Sequence, residues 1–191
     1  ADLGDPDAPA RIIDAVGSAF ERLDALVNNA SSFDPTPFGS IRLENWERDM
    51  AVNARAPLFL IQGLAPLLGA HYDPADPASM GRIVNFIDIH VLGEPLVGYS
   101  AYNASKAALM EITATCAMEL APKITVNAIA PGVIEWAESY SAEVRNLYMR
   151  RVPLARPGTP EDAGSAVLYL VRDAHYCTGQ VIKLDGGRCL T

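Results

Sequence analysis

Arg82-Ile83-Val84-Asn85-Phe86-Ile87 and Ile124-Thr125-Val126-Asn127-Ala128-Ile129 flank an alanine-rich stretch at residues 101–120. A short, nearly continuous apolar run rich in β-branched residues suits a strand buried on both faces, and the alanine stretch favours a long helix. The order is therefore strand, helix, strand. Ala25-Leu26-Val27-Asn28 repeats the strand pattern upstream, and residues 180–184 repeat it ahead of Gly186-Gly187. Strands alternating with helices through short links imply an α/β fold, a doubly wound parallel sheet with helices on both faces.

Outward from that core, Ile12, Ile13, Val16, Phe20 and Leu23 fall at helical spacing after Asp7 and Pro9, which predicts an amphipathic helix. A second helical pattern runs from Leu43 to about Gly69. Pro57 brings no amide proton to the carbonyl of Asn53, so a disturbance is expected there. Residues 71–81, with Pro74 and Pro77, read as a loop, and residues 161–171 as a helix opened by Thr159-Pro160. Between Gly132 and Pro153 no strand pattern occurs; a connection of that length is expected to be a lid or binding segment. Trp136, Tyr140, Tyr148 and Met149 supply its bulk, with packing or a subunit contact as the other reading, and Trp136 is the better lid candidate.

The 191 residues are expected to form a single domain, 1–191; half of them are hydrophobic and 20% are charged, which excludes a disordered chain. A net charge of −8 lacks the basic footprint of a nucleic-acid binder, and no run of about 18 consecutive apolar residues suggests a membrane span. No nucleic acid and no membrane are expected as partners. Cys116, Cys177 and Cys189 have neither CxxC spacing nor an even count, which fits a reducing cytoplasm. His71, His90 and His175 share no ligand spacing, so no metal is expected.

Parallel sheets of this kind take ligands beyond the carboxyl ends of their strands, near the point where strand order reverses. Tyr102-Asn103-Ala104-Ser105-Lys106 places a phenol and an ammonium one helical turn apart, on one helix face. A cation there is expected to stabilise the phenolate and bring the phenol toward useful acidity; an ordinary exposed helix pair is the other reading. Tyr99 has no such neighbour, since Asn103 follows it by four. Asn28-Asn29-Ala30, Asn53, Asp88 and Pro131-Gly132 are expected at the same rim. No glycine-rich phosphate turn precedes them; the chain opens at Ala1-Asp2-Leu3 as if at the end of a strand.

Taken together, Asn28-Asn29-Ala30, the Asn53 helix, Tyr102 to Lys106, Pro131-Gly132 and the closing Thr178-Gly179-Gln180 to Asp185-Gly186-Gly187 resemble the successive motifs of the short-chain dehydrogenases/reductases. Within that family, Asn29-Ala30-Ser31-Ser32-Phe33 with Pro35-Thr36-Pro37, Asp88 where most members carry serine, and the tail Asp185-Gly186-Gly187-Arg188-Cys189-Leu190-Thr191 are most similar to pteridine reductases. The resemblance implies a Rossmann-like domain, N-terminally incomplete in this chain, and an NADP(H)-dependent reductase of a pteridine or dihydrofolate, with NAD(H) not excluded. By position, Tyr102 would be the proton donor, Lys106 would bind ribose and tune the phenol, and Asn53 would hold a relay water. Asp2 and Leu3 would touch adenine; Asn29, Ala30, Ser31, Pro131, Gly132, Val133 and Ile134 would line the cofactor. Phe33 would stack on the pterin, with Asp88 and Trp136 completing the substrate site. An apparent insertion around residues 91–94 would displace the Asp88 side chain, whose other reading is a strand-end turn former. The resemblance further implies a homodimer or homotetramer through the Leu43 and Ala101 helices. A family member acting on a ketone or secondary alcohol and an inactive fragment or binding module are the alternatives.

Overall fold

The computed structural model describes residues 1–136 and 140–191. Four strands, β1 (Ala25–Asn28), β2 (Gly81–Phe86), β3 (Ile124–Pro131) and β4 (Val181–Leu184), form one sheet in the order β1-β2-β3-β4, all parallel. The helices are α1 (Ala8–Ala19), α2 (Leu43–Met50), α3 (Ala56–Leu68), α4 (Ser100–Leu120), α5 (Ala142–Met149) and α6 (Pro160–Arg172).

Alternation along the strands sorts the helices onto faces. Ile83, Ile124 and Val126 pack with Leu60, Ile61, Leu64 and Leu68 of α3 and with Cys116 and Ala117 of α4. Farther along the same face, Ile87, Ala128 and Ala130 meet Leu109 of α4. Val84 and Ile129 point the other way, onto Leu170 of α6 and Ala174 beyond it. Because the sheet grows in one direction throughout while α6 alone lies on the second face, the β3 to β4 connection has the opposite hand to the two before it. Strand order does not reverse within these strands, so the expected switch point is absent from them, and the cleft forms where the loops after β1, β2 and β3 meet α6.

The first predicted helix ends at Ala19, before Phe20, which is 58% exposed outside it. Ile12, Ile13, Val16 and Leu23 do pack on the core. Ala1-Asp2-Leu3 leads into a turn, closed by Asp5 N donating to Asp2 O at 3.1 Å. At Pro57 the expected disturbance takes a definite form. A π turn, Ala51–Arg55, separates α2 from α3 and puts one extra residue into the ladder. Leu43–Leu68 is long and apolar enough to cross a membrane by length and mean hydropathy, yet Leu60, Ile61, Leu64 and Leu68 are core residues. The segment after Gly132 contains a helix the apolar pattern does not reveal: α5 buries no residue and is started by Ser141, whose hydroxyl accepts from Val144 N.

Candidate active site

Two elements aim the central phenol. The α4 helix runs under the sheet with Ala101, Tyr102, Ser105 and Lys106 buried along one stripe. Asp88, just beyond β2, accepts His90 N with one carboxylate oxygen and the Tyr102 hydroxyl with the other, at 2.9 and 2.6 Å. Asp88 caps the turn Ile89–Val91, as a strand-end turn former does, and it also faces the phenol. Residues 91–94, the apparent insertion, fall in that turn and the loop after it.

Lys106 is 2% exposed, and its ammonium donates to the Phe86 carbonyl at 2.7 Å, 5.9 Å from the centre of the Tyr102 ring. Burial pushes the ammonium down to about 8, partly offset by Asp88. The expected tuning of Tyr102 by Lys106 is not what the geometry gives. Burial first, then the charge of Asp88 and the hydrogen bond to it, hold Tyr102 well above an ordinary phenol. The hydroxyl is turned to a carboxylate while the ammonium is engaged by a carbonyl, so the resting phenol keeps its proton.

Asn53 is fully buried. Its Oδ1 accepts from Ser31 Oγ and Ser32 N, and its Nδ2 donates to Ser32 O and Ser105 Oγ. The side chain is saturated and has nothing left for a relay water; the group that Pro57 leaves without its helical donor is the Asn53 main-chain carbonyl. Asn53 instead ties the loop after β1 to α4. Asp49, also buried, accepts Ser32 Oγ at 2.7 Å, and burial holds its carboxyl above the usual range. Sequence reasoning passed over Asp49, and took Ser32 only as part of a motif, because their pairing crosses 17 residues and leaves no local pattern.

This anchored loop presents Phe33, 40% exposed. Tyr99 stacks on it with centroids 4.7 Å apart, and Tyr102 meets it edge-on at 4.8 Å. Tyr99 therefore backs Phe33 without itself lining the cleft. One Phe33 face is taken, leaving the other for a ligand.

A cleft of about 950 Å³ opens beside these groups. Asn29, Ser31, Phe33, Asp88, Tyr102, Pro131, Gly132, Val133, Ile134 and Trp136 line it as expected from the sequence, joined by Tyr140, Tyr148, Arg188 and, from α6, Pro160, Ala163, Gly164 and Val167. Trp136 packs edge-on against Tyr140 and Tyr148 at 5.9 and 5.5 Å. Asp2, Leu3, Ala30, Asn53 and Lys106 do not line the cleft; Asp2 folds back to accept Gly4 N, and Arg55 holds Gly4 O from the α2–α3 junction. Asn28 is likewise structural, donating to Asn85, which donates to Thr113. Among the described residues no three His, Cys, Asp or Glu side chains gather as a metal site.

A buried phenol with its proton retained, a buried ammonium and a cleft at the carboxyl ends of parallel strands define an α/β oxidoreductase site. Comparisons with known proteins agree. A family model described as enoyl-(acyl carrier protein) reductase matches residues 1–188. The 3-oxoacyl-[acyl-carrier-protein] reductase FabG of Thermotoga maritima is 34% identical over 188 residues, covering 96% of this chain and 73% of that protein. Pteridine reductase 1 of Leishmania tarentolae is 36% identical, covering 94% and 68%. Galactitol 2-dehydrogenase of Agrobacterium fabrum is 32% identical, covering 100% and 76%. The chain belongs to the short-chain dehydrogenase/reductase family and is an oxidoreductase of that type. The volume and the mixed lining of the cleft fit the nicotinamide cofactor of such enzymes.

Proposed function

We propose that this chain carries the catalytic body of an NADPH-dependent reductase acting on a pteridine or dihydrofolate, with Tyr102 as proton donor. The observation that carries the reading is the Tyr102 to Asp88 hydrogen bond at 2.6 Å, set beside the edge of Phe33. A carboxylate at this point accepts from ring N–H and amino groups, which a pteridine offers. A simple ketone offers only an acceptor, and would be repelled by it. Phe33 supplies a flat apolar face for the ring, and aromatic stacking of this kind contributes about 0.5–1.5 kcal/mol beyond burial.

The bound nicotinamide supplies a hydride. Asn29, Ser31 and residues 131–134 would hold its ring and carboxamide, and Lys106, which keeps two ammonium protons beyond the one given to Phe86 O, would hold the ribose. Tyr102 turns its proton from Asp88 to the substrate atom opposite the carbon reduced, and the charge left on its oxygen develops in the field of Lys106. A phenol held in its protonated form has the proton to give, and it becomes a competent acid only as the hydroxyl leaves Asp88 and the phenolate gains the field of Lys106.

The second reading, reduction of a ketone or oxidation of a secondary alcohol, draws on the names of the Thermotoga and Agrobacterium relatives. Loss of reduced-nicotinamide absorbance with dihydrobiopterin or dihydrofolate, and not with simple ketones, is the expected result; the reverse pattern overturns the pteridine reading. Phe33→Ala is expected to raise KM for the ring substrates about tenfold, worth about 1.4 kcal/mol. A cytoplasmic homodimer or homotetramer is part of the proposal. Support for association is the groove of about 770 Å³ along α2 and α4, lined by Trp46 and Leu58, which are 43% and 37% exposed; light scattering tests the oligomeric state.

A further inference from the structure

Arg188, just past the Gly186-Gly187 turn, lies on the cleft wall although it is only 7% exposed. Its Nη1 donates to Glu94 Oε2 at 2.5 Å, and its guanidinium lies over the Tyr148 ring, 5.1 Å from the centroid. Its buried Nε has no acceptor. Glu94 is shared, because Arg151 also donates to it while giving a further bond to Thr191 O, so one carboxylate is divided between two guanidinium groups. Tyr148 in turn reaches the cleft floor, accepting Val133 N at 3.2 Å, which keeps Arg188 on the same wall as the proposed nicotinamide contacts. A buried charged donor left unsatisfied is costly, and such groups are normally paired.

We infer that Arg188 is the anchor for an anionic group, a carboxylate, on the part of the substrate remote from the reduced bond. The inference rests on the proposed reductase reading but not on the ring chosen by it. Guanidinium recognises a carboxylate through parallel N–H donors, and Glu94 holds the guanidinium over Tyr148 while dividing its own charge with Arg151. Among the proposed substrates this selects dihydrofolate, whose glutamyl tail carries carboxylates, over dihydrobiopterin, which has none.

The test compares an acid with its neutral counterpart in two pairs: dihydrofolate against dihydrobiopterin, and a 3-oxo acid against its methyl ester. Steady-state kcat/KM and calorimetric Kd are measured on the cofactor-loaded protein. Arg188→Met is expected to lower the acid-to-neutral ratio about tenfold or more, consistent with loss of a charge-assisted hydrogen bond. Glu94→Gln, which removes the competing carboxylate and keeps Arg188, is expected to raise it. If the ring pair is inert and the oxo pair shows these opposed shifts, the pteridine reading falls and the anion site stands. Equal losses for both members of a pair, an unchanged ratio in Arg188→Met, or failure of every acid to bind overturns the inference.

Discussion

Replacing Lys106 by methionine is expected to stabilise the fold while removing activity. Lys106 is 2% exposed and its ammonium meets the Phe86 carbonyl, with no ion pair to a carboxylate among the described residues. Its displacement from an ordinary 10.5 to about 8 corresponds to about 3 kcal/mol at about 1.4 kcal/mol per pH unit. Methionine removes that penalty but leaves the Phe86 carbonyl without its donor, a loss of about 1 kcal/mol. The net gain at pH 7 is about 2 kcal/mol, or about 4–8 °C in Tm for a chain of this size. The sign follows from proton binding: between about 8 and 10.5 the unfolded chain holds the Lys106 proton and the folded chain does not, so wild-type stability rises with pH across that window. Below it the penalty is present in full. Urea unfolding of wild type and Lys106→Met from pH 7 to 10 isolates this effect, since other titrating groups cancel in the difference. The advantage of the variant should shrink steadily above pH 8. A difference that stays flat with pH would refute the burial argument, and a variant less stable than wild type at pH 7 would show that the ammonium stabilises the fold.

Other substitutions test the remaining site. Tyr102→Phe should lower kcat by about 10²–10⁴-fold, the usual worth of a positioned general acid, with a melting temperature close to that of wild type. Asp49→Asn should stabilise the fold at neutral pH by about 1 kcal/mol, because a buried carboxylate oxygen without a partner is replaced by a neutral amide. Its raised carboxyl means that this gain is present at neutral pH and fades as acidification protonates Asp49, which pH-dependent melts would reveal. Asn53→Ala strands Ser32 N, Ser32 O and Ser105 Oγ and should cost about 3 kcal/mol or more by urea unfolding. Gly81→Ala sets a methyl 2.5 Å from the Leu68 carbonyl oxygen; backbone on both sides leaves little room to yield, and a loss of about 1–3 kcal/mol is expected.

Periodicity carried the sheet, because each strand announces itself within six or so neighbouring residues, and the absent amide of Pro57 marked the site of the π turn. What escaped was whatever depends on pairs remote in the chain. Glu94 and Arg188 meet across 94 residues, and nothing near either one announces the other. The Tyr102 hydroxyl was visible as a functional group, but its acidity was read from the lysine one turn away instead of from Asp88, fourteen residues back. The direction of the phenol, which only the folded loop after β2 decides, settles which neighbour governs it. Helix α5 was hidden for another reason: with no buried residue, it has no apolar stripe to show.

The π turn Ala51–Arg55 makes the site sensitive to chain length in an unusual way. Removing one residue there would give a better-formed continuous α-helix and at the same time turn everything upstream about its axis by about 100°. Asp49 would swing off Ser32, and the peptide ahead of Phe33 would lose its mooring. An irregularity of a single residue, of the kind left by a one-codon insertion, thus fixes the azimuth at which the upstream helix addresses the cleft.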